Sequence, residues 1–106
     1  MRFKIITRDM EKCDEALDEF IEKCAKQFET ELKKFKIIVP KEVREIYTEM
    51  FKPIKVKREF GFILFIPAKL SFFQKLAGVH KKMCGSLEGF LRGKGVEIKE
   101  VIYLGD

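Results

Sequence analysis

Residues 9–32 constrain the fold most, because apolar side chains recur there every three or four positions without a Gly or Pro. This spacing places them on one face of an α-helix. Asp9 suits the N-cap of that helix, since acidic side chains are favourable near its positive end. The sequence therefore predicts a long amphipathic helix with the apolar face Met10, Cys13, Leu17, Phe20, Ile21, Cys24, Phe28 and Leu32.

Short β-type segments lie on both sides of this helix. Residues 3–7 predict a strand with Phe3, Ile5 and Thr7 on one face. Residues 36–39 predict a second strand, which Pro40 ends. Residues 41–51 then show a 3.6-residue apolar period and predict a helix of about three turns, ending before Pro53.

The rest of the chain predicts further strands and a second long helix. Residues 54–66 have a β pattern, and they are either a hairpin or one bent strand, with a possible bulge at Gly61. Residues 71–92 predict a helix that begins with the capping box Ser71–Gln74. Glycines at 78, 85 and 89 inside this helix suggest that another backbone approaches it closely. Residues 96–104 predict a closing strand.

This order of elements predicts one α+β domain spanning residues 1–106. We expect a ferredoxin-like split β-α-β sandwich, with both long helices on one face of an antiparallel sheet and the helix at 41–51 as an insertion. An α+β fold whose strands are completed by a partner chain is the alternative.

The composition describes the environment in which the chain is expected to work. It has 37% charged residues, two Gln, and no Asn or Trp, an archaeal-like composition typical of hyperthermophiles. No apolar run reaches the ~18–20 residues of a membrane span. The three cysteines have no CxxC spacing, which favours reduced thiols. We therefore expect a cytoplasmic protein that does not enter a membrane.

Charge is unevenly distributed along the chain. Residues 1–31 carry six basic and nine acidic side chains, a net charge of −3, whereas residues 32–106 carry sixteen and eight, a net charge of +8. Such asymmetry is compatible with self-association through complementary faces and with binding of a polyanion.

The segment Arg58-Glu59-Phe60-Gly61-Phe62-Ile63-Leu64-Phe65 resembles the RNP1 octapeptide of the RNA-recognition motif, with Glu59 where the motif has Gly. The resemblance implies that Arg58 meets phosphate, while Phe60 and Phe62 stack on bases from the open face of a sheet. Lys55 and Lys57 would add to the basic surface. The other interpretation, that these aromatic residues belong to a core or an interface, is favoured by the sequence.

Residues able to carry out catalysis are few. His80 is the only histidine, and Cys84 lies one helical turn later, so the two could form a nucleophilic pair or half of a metal site. No further ligands are nearby in sequence, and we expect no metal, no cofactor and no catalytic residue. The chain is predicted to be a non-catalytic protein that acts by association, as a homodimer. An RNA-binding domain that uses Arg58, Phe60, Phe62, Lys55 and Lys57 is the alternative.

Overall fold

A computed structural model describes residues 1–34, 40–67 and 72–105 of the chain. Four strands and four helices follow one another as β1 (Arg2–Thr7), α1 (Met10–Lys34), α2 (Lys41–Met50), β2 (Ile54–Arg58), β3 (Gly61–Phe65), α3 (Phe72–Leu76), α4 (Val79–Gly93) and β4 (Ile98–Gly105). The α+β class is confirmed. The predicted strand at residues 36–39 lies outside the described residues.

The strands form one antiparallel sheet in the order β2-β3-β1-β4. Residues 54–66 are a hairpin, because β2 and β3 pair on either side of the turn at Glu59 and Phe60. This result decides the question that the sequence left open. A register shift after Ile6 in the pairing of β1 with β4 leaves Lys99 without a partner on β1.

The core lies between one face of the sheet and the helices α1 and α4. As predicted, Phe3, Ile5 and Thr7 are buried, and the alternation of β1 therefore directs Lys4 and Ile6 to the opposite face. The largest fully buried side chains are Phe3, Ile5, Cys13, Leu17, Leu64 and Leu91. Each buried leucine or phenylalanine stabilises the fold by roughly 1.5–3 kcal/mol.

Helix α1 packs as its apolar stripe predicts. Cys13, Leu17 and Ile21 are buried, and Ala16 and Ala25 complete the face where small side chains allow close packing. Its partner across the core is α4, and the rings of Phe20 and Phe90 meet edge-on with their centroids 5.5 Å apart.

The prediction of one continuous helix over residues 71–92 is wrong. Gly78 has φ 71° and separates α3 from α4, because a left-handed residue cannot continue a right-handed helix. Leu76, near the end of α3, is 71% exposed. Outside the backbone of α4 itself, no atom of the described residues lies within 4 Å of a Cβ built at Gly85 or Gly89, so the predicted close approach of another backbone is not found there. The proposed start at Ser71 lies outside the described residues.

No helix among the residues described is long and apolar enough to span a membrane. Among the strands that the structure describes, β2 and β4 lie at the two edges of the sheet. The face of the sheet opposite the helices carries the alternate side chains of all four strands, and it is called the open face below.

Candidate nucleic-acid interface

A groove of about 770 Å³ runs across the open face, and it is called the open-face groove below. Its apolar part includes Ile6 from β1, Ile63 from β3 and Leu104 from β4. These residues lie on the open face because their strand neighbours Ile5 and Leu64 point into the core. The groove thus forms because side chains alternate between the two faces of the sheet along β1, β3 and β4.

Four basic residues line the open-face groove, and each comes from a different part of the fold. Lys4 lies within β1, Arg8 follows its end, Arg58 ends β2, and Lys99 occupies the irregularity in β4. All four side chains are exposed. Glu59 is the carboxylate that lines the groove with them.

These four cations form no ion pair with a carboxylate of residues 1–34, 40–67 or 72–105. Glu100, which lies opposite Ile6 in the sheet, is the nearest other acid by register, yet it makes no salt bridge with them. Four cations against Glu59, the single groove carboxylate among the described residues, leave an excess of positive charge, which attracts anions from solution.

Basic residues elsewhere are used differently, since carboxylates of α1 bind several of them. Lys52 contacts Glu22 at 2.7 Å, and Lys94 contacts Glu19 at 2.7 Å. A hydrogen bond from Lys52 to Glu22 raises the pKa of the lysine. The acidic surface of the helix therefore neutralises lysines next to it but does not reach the open face.

The structure separates the site residues that the sequence grouped together. Arg58 and Phe60 line the open-face groove, and Phe60 is 70% exposed in the turn between β2 and β3. Phe62 is 2% exposed and belongs to the core, so the expectation that it stacks on bases from the open face is wrong. Strand alternation is the reason, because Phe62 lies opposite Ile5, whose side chain faces the helices.

Lys55 and Lys57 lie opposite Leu64 and Phe62 in the pairing of β2 with β3, which puts them on the helix side of the sheet. Lys55 binds the carboxylates of Asp14 and Asp18, the latter at 2.6 Å. Burial alone would lower the pKa of Lys55, but the hydrogen bonds that its ammonium donates to these two carboxylates outweigh burial, and the pKa is raised. Lys55 is therefore a structural residue of the β2–α1 contact, and it lies outside the groove.

Sequence reasoning missed Lys4, Arg8 and Lys99. The position of Lys4 was available from the alternation of β1, since burial of Phe3 and Ile5 places Lys4 on the other face. Lys99 had no such signal, because its placement depends on the register shift between β1 and β4.

The residues suggested for catalysis do not form a reactive pair. Burial raises the pKa of the Cys84 thiol more than the backbone N–H of Tyr103 lowers it, whereas nucleophilic thiols have a lowered pKa. His80 packs against the ring of Tyr103 at 5.2 Å, and its Nδ1 is buried without a hydrogen-bond partner in the part of the chain described. That same part contains no group of three or more His, Cys, Asp or Glu side chains able to hold a metal ion.

No family model matches the chain, and no curated protein or solved structure matches it.

Proposed function

We propose that the chain is a binding module for single-stranded nucleic acid, and that the open-face groove is its binding site. The observation that carries the proposal is the convergence of Lys4, Arg8, Arg58 and Lys99 around an apolar groove, where none of them forms an ion pair with a carboxylate in the described part of the chain. Single-stranded chains are bound by such a combination of cations for phosphates and apolar or aromatic surface for bases.

Phe60 supplies the aromatic surface. Its ring is 70% exposed at one end of the open-face groove, and its backbone carbonyl is fixed by a hydrogen bond from the N–H of Thr7 at 3.0 Å. An exposed ring on an anchored turn can stack on a base with little loss of backbone entropy. The apolar side chains of Ile6 and Ile63 then form the floor on which a neighbouring base would lie.

Anisotropy of a fluorescently labelled single-stranded RNA, measured at increasing salt, tests the proposal. Four phosphate contacts predict a slope of log K against log[salt] of about −3, and each lost cation should reduce its magnitude by about 0.7. The variants Arg58→Gln and Lys99→Gln each remove one cation. Lys57→Gln is the matched control, because Lys57 is equally exposed on β2 but lies on the other side of the sheet.

The stacking role of Phe60 has its own expected result. Phe60→Ala should weaken binding by about 1–3 kcal/mol and leave the salt slope unchanged, since the ring carries no charge. A single-stranded DNA of the same sequence shows whether the 2′-hydroxyl contributes. The proposal is refuted if RNA and DNA both fail to bind at low salt, or if Lys57→Gln costs as much affinity as Arg58→Gln.

We propose in addition that the fold is the ferredoxin-like split β-α-β sandwich, with α2 as the inserted helix. The strand order β2-β3-β1-β4 and the antiparallel pairing of every neighbour support it. So does the placement of α1 after β1 and of α4 before β4, both packed on one core. An experimental structure in which either helix crosses to the open face would contradict this assignment.

A further inference from the structure

Glu59 lines the open-face groove with an exposed side chain. Its carboxylate forms no ion pair or hydrogen bond with any residue that the structure describes. The neighbouring Arg58 donates instead to the backbone carbonyl of Lys57 at 3.4 Å. The turn does not require a glutamate either, because two-residue hairpin turns favour Asn, Asp and Gly. The carboxylate is therefore available to a ligand.

The charge of Glu59 opposes the phosphate binding that the proposed function assigns to the groove, because like charges repel. An ionised carboxylate is also only an acceptor of hydrogen bonds. Its complement on a nucleic acid is therefore a donor, and the donors there are the N–H groups of the bases and, in RNA, the 2′-hydroxyl. Glu59 thus suits contact with a base, whereas the four cations of the groove suit contact with the backbone.

The turn between β2 and β3 places Glu59 next to the proposed stacking surface. Glu59 and Phe60 are the two residues of this turn, since Arg58 and Gly61 pair on either side of it. Both line the open-face groove, and the ring of Phe60 is 70% exposed. A base stacked on that ring can turn its Watson–Crick edge towards the Glu59 carboxylate, and such edges are read in single-stranded RNA.

We infer that Glu59 makes the open-face groove selective for guanine. Among the four bases, guanine has two adjacent donors on its Watson–Crick edge, N1–H and the N2 amino group, and these match the two oxygens of a carboxylate. Adenine and cytosine have an acceptor nitrogen beside their amino group, and uracil has one N–H between two carbonyls. Those acceptors would repel a carboxylate oxygen. This selectivity rests on the proposed function and adds the base that the site reads.

Anisotropy of labelled oligouridylates that differ in one central base measures the selectivity. The wild-type chain should bind the strand with a central guanosine about tenfold more tightly than strands with adenosine, cytidine or uridine there, as one bidentate base contact predicts. Inosine keeps N1–H but lacks the N2 amino group, so it should lose most of this gain. The comparison of guanosine with inosine needs no change in the protein and is independent of folding.

Two variants of the protein separate base reading from general electrostatics. Glu59→Gln replaces one acceptor oxygen by a donor amide and should bind the guanosine and inosine strands equally. Glu100→Gln is the matched control, because Glu100 is exposed and lies opposite Ile6 on the open face but does not line the groove. Both variants remove one negative charge and should strengthen phosphate binding, yet Glu100→Gln should keep the preference for guanosine.

The possible results distinguish failure of the selectivity from failure of the proposed function. Equal binding of all strands by the wild type overturns the selectivity for guanine and leaves nucleic-acid binding in place. A preference for guanosine that persists in Glu59→Gln, or that inosine retains in full, also overturns the selectivity. If no strand binds at low salt, the proposed function and the selectivity are both refuted.

Discussion

Replacing Gly61 by alanine should force β1 and β3 apart at the end next to the β2–β3 turn. A Cβ built on Gly61 overlaps the carbonyl oxygen of Ile5 and lies 2.8 Å from its carbonyl carbon. Both are backbone atoms in the middle of the sheet, so no side-chain rotation can relieve the overlap. The alanine can be accommodated only if one strand moves.

The loss of stability can be estimated from the backbone hydrogen bonds that this strand movement breaks. Gly61 pairs with Ile6, and the adjacent hydrogen bond from the Thr7 N–H to the Phe60 carbonyl is 3.0 Å long. Losing two backbone hydrogen bonds costs about 2 kcal/mol. Overpacking adds about 1–3 kcal/mol. We therefore expect Gly61→Ala to lower the free energy of unfolding by about 4 kcal/mol, a large part of the ~5–15 kcal/mol typical of a domain.

Urea unfolding followed by far-UV circular dichroism measures this change, and Gly85→Ala is the matched control. Gly85 lies within α4, and no described residue outside the backbone of that helix comes within 4 Å of its added Cβ, so alanine should stabilise the protein by about 1 kcal/mol. The two variants should change the free energy of unfolding in opposite directions. This difference separates the effect of close backbone approach at Gly61 from the general cost of a glycine in a regular element. A Gly61→Ala variant within about 1 kcal/mol of the wild type would refute the reasoning, because ordinary mutations already reach that size.

Two further changes test contacts between sheet and helices. Lys55→Gln should destabilise the protein by about 1 kcal/mol near neutral pH. The pKa of Lys55 is raised above 10.5, so the charged ammonium contributes its full stabilisation below that pH and loses it as the pH rises through the folded-state pKa. The free energies of unfolding of the wild type and Lys55→Gln, measured in urea, should therefore converge at high pH. A difference between them that persists at high pH contradicts the role of the ion pairs. Thr7→Val should lower the free energy of unfolding by about 1–3 kcal/mol, because it leaves buried polar groups unpaired. Thr7→Ser keeps the hydroxyl and should lower it by less. Thermal unfolding measures both variants, and equal losses of stability would show that the hydroxyl is unimportant.

The elements with strong periodicity were predictable from the sequence alone. The apolar period of residues 9–32 and the alternation of residues 3–7 each specify one buried face, and the structure buries those faces. Both patterns are local, so each can be identified without knowing what packs against it. The class of the fold follows from the order of such elements.

The errors in the rest of the fold have local physical causes. The sequence pattern predicts that Gly78 lies within one continuous helix, whereas its left-handed conformation separates α3 from α4. The glycines within residues 71–92 predict close packing, but among the described glycines it is Gly61 that another backbone, that of Ile5, approaches closely. The sequence shows where the glycines are. Whether a glycine serves for its left-handed conformation or for its missing side chain depends on the neighbouring structure.

The candidate site was less predictable than the fold. The octapeptide at residues 58–65 covers the turn and β3, which contribute to the open-face groove, yet the turn after Arg58 puts Phe60 outside the strand and Phe62 in the core. Likewise, the carboxylates that bind Lys55 are about forty residues away in sequence. Which cations remain unpaired depends on such tertiary contacts, so the open-face groove could not be derived from charge counts.

The hydroxyl of Thr7 joins the two ends of the fold. It donates a hydrogen bond to the carbonyl of Glu97 at 2.6 Å and accepts one from the N–H of Asp9 at 3.0 Å, while the Asp9 carboxylate accepts from the N–H of Glu97 at 3.1 Å. These bonds close a loop of about ninety residues, and closing a loop of that length carries a large entropic cost. Contacts of such sequence separation form late in folding. The edge strand β4 is therefore expected to dock last, and the amide of Glu97 should report the completion of the native state in pulsed hydrogen exchange.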